Sequence, residues 1–179
     1  MLLKIAQLGQ PVLRQVARAI PPDQILSPEF QEFLRDMEET LQQQCGVGLA
    51  APQVFASDRV FLAAILPPET EEGLPNVEVF INPSLTTLTE EKTQAWEGCL
   101  SFPELLVLVP RFLAVRIDYL NAMGQAVSRE LQGFPARVIQ HEFDHLEGIL
   151  TIDRAESSRD IIKASEIEAV MQHQGMPDV

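Results

Sequence analysis

Helical patterns near both ends of the sequence and a run of strand patterns between them predict a single domain of helices and strands over residues 1–179. Apolar residues recur at helical spacing in 27–44 and again close to the C-terminus, whereas 59–131 contains short apolar or alternating runs bounded by turn residues. The Asn-Ala-Met-Gly segment at 121–124 has the composition of a hairpin turn, so the strands beside it are predicted to be antiparallel.

The composition is that of a globular protein, with 46% hydrophobic and 22% charged residues. A formal net charge of −13 argues against a general nucleic-acid binder and against attraction to an anionic membrane surface. Two cysteines are too few for a disulfide framework and indicate a reducing compartment. We find neither a signal-peptide pattern nor an apolar run of membrane-spanning length, so we expect the cytoplasm as the location.

The first predicted element is a helix over 27–44. The preceding residues, 1–26, are punctuated by glycine and proline and are expected to form an irregular arm. Ser27 has the side chain of an N-cap and Pro28 suits the first helical position. The apolar residues that follow lie on one helical face, which is expected to pack in the core.

Strands are predicted at 59–66, 77–81, 106–109, 111–119 and 126–131, with a weaker one at 84–93. Asn82 and Pro83 are expected to end the second strand, because proline cannot donate a ladder hydrogen bond. The acidic segment 67–73 is expected to be a solvated loop. A second amphipathic helix is predicted over 157–172, with Ile161 and Ile162 in its apolar stripe, inside a helical tail at 155–179.

The segment Gly-Val-Gly-Leu-Ala-Ala-Pro-Gln at 46–53 suits neither a helix nor a strand. It favours a loop in which the backbone approaches another group closely. It is not a phosphate-binding loop, because no Gly-Lys-Ser/Thr follows. A simple helix-ending turn remains an alternative, and Gln53 at its end could direct an amide donor into a cleft.

The most informative motif is His-Glu-x-x-His, in a predicted helix between Pro135 and Gly148. Residues four apart lie on one helical face, so His141 and His145 can bind one metal ion together. Glu142 projects at the edge of that face, where it can reach a metal-bound water without being a ligand. The alternative is a chance spacing on a surface helix.

A catalytic metal commonly keeps three protein ligands and one open position. Cys99 is the best candidate for the third, because it lies in a glycine-shaped turn, Glu-Gly-Cys-Leu-Ser-Phe-Pro at 97–103. An ordinary buried cysteine is the alternative. Glu142 would take a proton from the water and later give it to the leaving amine. Gln53 and the backbone N–H of Leu100 are candidate donors to the developing oxyanion.

The segments 46–53, 97–101 and 140–145, in this order and at this spacing, resemble the three signature motifs of peptide deformylase. The segments Gly-Gln-Pro-Val-Leu-Arg at 9–14 and Val-Pro-Arg at 109–111 are also similar to that family. The resemblance implies an α+β fold of antiparallel β-sheets around a central metal-binding α-helix. It also implies a metal-dependent hydrolase that removes the formyl group from the N-terminal formyl-methionine of newly synthesised proteins and releases formate.

The resemblance also assigns roles to residues. The implied ligands of one divalent metal ion, Fe²⁺ with Zn²⁺ or Ni²⁺ as substitutes, are Cys99, His141 and His145. Glu142 becomes the general base and acid, with Gln53 and Leu100 as catalytic oxyanion donors. The implied substrate-binding residues are Gly46, Gly48, Leu49, Glu97 and Val138, and the backbone of Gly48 would pair with the substrate chain. Arg111 and Glu97 would form an ion pair behind the site.

The implied partners are nascent N-formylmethionyl polypeptides and, transiently, the ribosome, for a monomer or weak dimer. No membrane and no sequence-specific nucleic acid is expected. The sequence departs from the family pattern at Phe55, where glycine is usual, at Thr151, where an aromatic residue is common, and at Leu106, where many relatives have arginine. Two other hypotheses compete: a zinc peptidase with Glu166 or Glu168 as third ligand, and a metal-stabilised binding module without turnover.

Overall fold

A computed structural model of the chain describes residues 1–66 and 76–174. The predicted acidic loop at 67–73 and the last five residues of the predicted tail lie outside this part. The α-helices are α1 Pro22–Ile25, α2 Pro28–Gln43, α3 Gly133–Leu146 and α4 Ile167–Gln174. The strands are β1 Gly48–Ala50, β2 Val60–Leu66, β3 Asn76–Thr87, β4 Lys92–Glu97, β5 Leu105–Phe112, β6 Ala114–Leu120, β7 Ala126–Gln132 and β8 Ile161–Lys163.

The strands form two sheets in which neighbouring strands are antiparallel, which confirms the predicted α+β class. One sheet has the order β1-β2-β3-β6-β7 and the other the order β4-β5-β8. Helix α3 contacts β1, β2 and β7 of the first sheet and β5 of the second. Ile139 and Leu146 of α3 are buried with Phe61 and Phe80 of the first sheet. The predicted motif helix is therefore the central one.

Helix α2 begins as the cap residues predict. The Ser27 hydroxyl accepts a hydrogen bond from the N–H of Phe30, and Pro28 is the first helical residue. Met37 and Leu41 lie on its buried face, in one core with Leu49 of β1. The apolar stripe of α2 therefore packs in the core, where it holds the glycine-rich segment through Leu49.

Strand β3 continues through Asn82 and Pro83, so the predicted strand end there is wrong. Asn82 has a left-handed φ of 49°, and the pairing with β6 shifts register between Ile81 and Ser84. The Asn82 side chain accepts from the Ile20 N–H and donates to the Ile20 carbonyl, at 2.8 Å each. A bulge supported in this way tolerates proline inside a strand.

Two further segments differ from prediction. The glycine-rich segment contains the short strand β1 and a 3₁₀ turn at Ala51–Val54, whereas a loop was expected. Strand β4 covers residues 92–97, whereas the weaker strand predicted at 84–93 includes only the first two of them. Both elements gain their hydrogen bonds from distant partners, β2 and β5, which local patterns do not reveal.

The C-terminal tail is not one helix. Residues Ile161–Lys163 pair with Leu105–Val107 at the edge of β5, and the helix covers only Ile167–Gln174. β-branched Ile161 and Ile162 suit an extended strand as well as an apolar helical stripe, and the free edge of β5 decides between the two. None of the described helices is long and apolar enough to cross a membrane.

Candidate active site

Three side chains with metal-binding atoms meet beside a cavity that Cys99 and His141 line. His141 and His145 lie one turn apart on α3, with ring centroids 5.1 Å apart. Cys99 comes from the turn after β4, and its Sγ lies 3.4 Å from Nε2 of His145. Each residue offers one ligand atom, and these atoms lie within 4.8 Å of one another. Metal bonds of about 2.0–2.3 Å allow all three to reach a single ion.

The chemistry of this donor set fits a divalent transition metal. One thiolate and two imidazoles suit Zn²⁺ or Fe²⁺. Burial is the largest cause that lowers the pKa of His145 well below the usual histidine value. The imidazole is therefore neutral, which is the form that binds metal. Within 1–66 and 76–174, the ligand cluster contains Cys99 and neither Glu166 nor Glu168.

Glu142 lies beside the cluster in the cavity wall. Its side chain is buried, and Oε2 has no hydrogen-bond partner among the described residues. Burial raises the pKa of Glu142 to about 7. Such a carboxyl group can both accept and return a proton near neutral pH. A β-carbon at Gly48 would overlap the Glu142 carboxyl group, so only glycine leaves room for it.

Gln53 presents its amide nitrogen to the cluster. The side-chain Oε1 accepts the Ala50 N–H at 2.9 Å, which fixes the orientation of the amide. Its Nε2 then lies 3.5 Å from Cys99 Sγ and 3.4 Å from Ser101 Oγ. Leu100, the residue after Cys99, also lines the cavity. Two groups that can donate hydrogen bonds, the Gln53 amide and the Leu100 backbone, thus lie beside the thiol.

Glu97, at the end of β4, orients His141 from behind. Its Oε2 lies 3.0 Å from His141 Nδ1, so that Nε2 is the ring nitrogen left for a metal. Arg111 donates to both oxygens at 3.0 Å, and Arg137 donates to Oε1 at 2.7 Å. Burial would raise the pKa of Glu97, but the bonds with His141 and Arg111 overcome it and lower that pKa to about 2. The expected Arg111–Glu97 ion pair is present.

The cavity measures about 370 Å³ and lies beside an edge strand. Strand β1 is the edge of the five-stranded sheet, and the Val47 carbonyl accepts from Ala64 N–H on the β2 side. Because backbone groups of successive residues point to opposite sides of a strand, the N–H and C=O of Gly48 face away from β2. An extended chain could pair there while its first side chain enters the cavity.

The comparisons with known proteins decide the family. A family model described as polypeptide deformylase matches residues 2–160. The chain belongs to the peptide deformylase family. A peptide deformylase 1 of Nitrosomonas europaea is 42% identical over 155 residues, covering 84% of this chain and 85% of the relative. A peptide deformylase 2 of a Nostoc species is 39% identical over 172 residues, covering 95% of each chain.

Solved structures agree with this assignment. A class I type b peptide deformylase from Acinetobacter baumannii, bound to Met-Ala-Ser, has a TM-score of 0.79 and 35% identity, covering 86% of this chain and 98% of that one. The chain is thus a peptide deformylase, a hydrolase that removes the N-formyl group from newly synthesised proteins. The predicted enzyme class is confirmed.

Most residues predicted for the deformylase site line the cavity. They are Gly46, Gly48, Gln53, Glu97, Cys99, Leu100, Val138, His141 and Glu142. Leu49 does not line it, because its side chain is fully buried in the core with α2. Phe55 adopts a left-handed φ of 66°, the conformation for which glycine is favoured, so its loop keeps that shape without glycine.

Several residues that line the cavity of this deformylase were not predicted from the sequence, namely Val47, Trp96, Pro103, Phe134 and Arg137. Val47 lies inside a recognised motif, and Trp96 and Pro103 flank or end another. Arg137 carried a usable signal. It precedes His141 by four residues on a helix whose neighbouring positions are apolar, and a charged residue there requires a buried partner.

Proposed function

We propose that Cys99, His141 and His145 hold one divalent metal ion in this deformylase. The main support is that their ligand atoms lie within 4.8 Å of one another, beside the buried Glu142, whose Oε2 has no hydrogen-bond partner among the described residues. Fe²⁺ is the proposed ion in the cell, and Zn²⁺ or Ni²⁺ can replace it, since all accept imidazole and thiolate ligands. When bound, such an ion supplies Lewis-acid activation of a water and of a carbonyl group.

Glu142 is the proposed general base and acid. Its carboxylate takes a proton from the attacking water and then delivers it to the amine nitrogen that leaves as formate is released. The pKa of about 7 suits both transfers. The unpartnered Oε2 supports this role, because no described side chain competes with the water for that oxygen.

Gln53 and Leu100 are the proposed oxyanion donors. As water adds to the formyl carbon, negative charge develops on the carbonyl oxygen. The Gln53 Nε2, held by the Ala50 contact to Oε1, and the Leu100 N–H would donate to that oxygen. A preset amide stabilises the transition state more than a mobile one, because no reorganisation is needed when the charge forms.

The substrate is proposed to bind as an extended chain along the outer side of β1. The backbone groups of Gly46 and Gly48 would pair with it, with Leu49 holding the strand in the core. The methionine side chain would enter the cavity against Val138 and the wall formed by Glu97. The tripeptide Met-Ala-Ser bound by the Acinetobacter baumannii relative has the chemistry of the product of such a reaction.

The proposed setting follows from the reaction. The enzyme acts in the cytoplasm on nascent N-formylmethionyl polypeptides, with transient ribosome association, as a monomer or weak dimer. The net charge of −13 argues against broad nucleic-acid binding.

One experiment tests the assignment of roles. After anaerobic purification, metal content is measured and formate release is followed with formyl-Met-Ala-Ser. We expect one metal ion per chain, dominated by iron, and formate release that a chelator abolishes. Unformylated Met-Ala-Ser, incubated in parallel, should show no cleaved peptide bonds by mass spectrometry. Internal cleavage would favour the zinc-peptidase hypothesis, and metal binding without either reaction would favour the binding module.

A further inference from the structure

Arg137 lies one helical turn before His141 and reaches the same carboxylate. Its side chain is 11% exposed. Arg137 Nη1 donates to Glu97 Oε1 at 2.7 Å, whereas His141 Nδ1 meets Glu97 Oε2 at 3.0 Å. Residues four apart on a helix lie on the same face, so Arg137 and His141 contact the two oxygens of one carboxylate from the same face of α3.

The other contacts of Arg137 fix its guanidinium group. Nη1 also donates to the Val109 carbonyl at 2.8 Å, and Nη2 donates to the Thr93 carbonyl at 2.6 Å and to Thr93 Oγ1 at 3.2 Å. One planar group thus joins α3 to β4 and β5. Its position is set by two strands, so the Glu97 oxygen that it binds is set as well.

Arg111 does not duplicate this role. It binds both oxygens of Glu97, but it also pairs with Asp144 on α3 and contacts the Gln140 carbonyl at 3.4 Å. Arg111 therefore approaches from β5 and is shared between two carboxylates. Arg137 belongs to the same helix as the histidine ligands, and among the described residues it pairs with no carboxylate other than Glu97.

We propose that Arg137 is a positioning residue for the metal centre, which holds Glu97 so that its Oε2 orients the His141 ring. The inference rests on the proposed role of His141 as a ligand. Without Arg137, Glu97 Oε1 loses a charge-assisted bond, and the carboxylate is held only by Arg111, which is shared with Asp144, and by His141 itself. The His141 ring then loses its fixed orientation, and metal affinity falls.

The test compares Arg137→Gln and Arg137→Lys with the matched control Arg129→Gln. Arg129 also pairs with a carboxylate, Glu78, but on the far strands β3 and β7. Zn²⁺ affinity is measured by competition with a chelator, and kcat and KM with saturating Zn²⁺. We expect Arg137→Gln to weaken Zn²⁺ binding by about 10–100-fold, the range for residues that orient metal ligands. Its kcat should fall while KM stays unchanged.

Arg137→Lys keeps a cation near Glu97 but loses the planar fork, so its Zn²⁺ affinity should lie between those of the wild type and Arg137→Gln. The control should bind Zn²⁺ as the wild type does. If the glutamine variant is not recovered folded, the lysine variant decides, and wild-type Zn²⁺ affinity in it overturns the proposal. A raised KM with unchanged Zn²⁺ affinity also overturns the proposal, because Arg137 would then only line the cavity that binds substrate.

The Zn²⁺ measurement does not depend on turnover. If the wild type bound Zn²⁺ but released no formate, the proposed function would fail while the affinity comparison could still support or overturn the role of Arg137.

Discussion

The two sides of α3 differ in how completely their buried polar groups are bonded. On the side of β4 and β5, both oxygens of Glu97 are occupied by Arg111, Arg137 and His141. On the cavity side, Glu142 Oε2 lacks a hydrogen-bond partner in the described chain. Saturated groups are fixed, and unsatisfied groups are available. The difference shows how one helix can combine a rigid support with a reactive surface.

Removing a proposed metal ligand should cause the largest loss of activity, because the metal site on the cavity side of α3 is then incomplete. We expect Cys99→Ala to purify without stoichiometric metal and to release no measurable formate, since two histidines alone hold a metal weakly. Metal analysis and X-ray absorption of the Zn²⁺ form check this, and the wild type should show one sulfur near the zinc. The control combines Glu166→Ala with Glu168→Ala, which should leave metal and turnover near normal. Loss of metal in that control would revive the peptidase hypothesis.

Glu142→Ala should separate chemistry from metal binding. The support side is untouched, so the variant should keep its metal while formate release falls by about 10²–10⁴-fold, the range for losing a general acid–base group. Metal content and single-turnover formate release are the measurements. A variant that keeps near wild-type activity would rule out the role, and so would a variant that lacks metal.

Gln53→Ala should have a smaller effect on rate. Its amide is held by Ala50 and donates toward the cluster, so its loss should lower kcat by about 10²–10³-fold, as for the removal of one oxyanion donor. Steady-state kinetics with formyl-Met-Ala-Ser distinguish the alternatives. A change in KM alone would make Gln53 a binding residue. Gln42→Ala, on the exposed face of α2, is the matched control.

Disrupting the fully hydrogen-bonded side of α3 should mainly lower the stability of the fold. Arg111→Ala leaves Glu97 and Asp144 without a shared partner, and we expect the free energy of unfolding to fall by about 3–5 kcal/mol, the cost of breaking a buried ion pair. Arg116→Ala, which removes an exposed pair with Asp118, should change it by less than about 1 kcal/mol. Urea unfolding with both variants measures this. Equal effects would mean that the buried network does not stabilise the fold.

The sequence was most informative where spacing along one element determines geometry. The His141–His145 pair depends on a single helical turn, and Ser27 caps its helix through its own side chain. Glycine at 48 also followed from local reasoning, since the segment was expected to approach another group closely, and Glu142 is that group. Such features need only the helical period or one close contact.

The features that the sequence did not predict depend on distant partners. Ile161 and Ile162 fit an apolar helical stripe, yet the edge of β5 recruits them into a strand. Asn82 and Pro83 interrupt a strand pattern, yet hydrogen bonds to Ile20 carry β3 past them. Arg137 was overlooked because its partners come from two strands, β4 and β5, that are distant in the sequence. In each case a tertiary contact overrides or completes the local preference.

The short strand β8 has a consequence for solubility during and after folding. It covers the Leu-Leu-Val edge of β5 at 105–107, which would otherwise offer unpaired backbone groups beside apolar side chains to another chain. The edge that replaces it is only three residues long and ends in Lys163. Short, charged edges pair poorly with other strands. A segment that carries none of the catalytic motifs thus protects the sheet next to Cys99 from intermolecular aggregation.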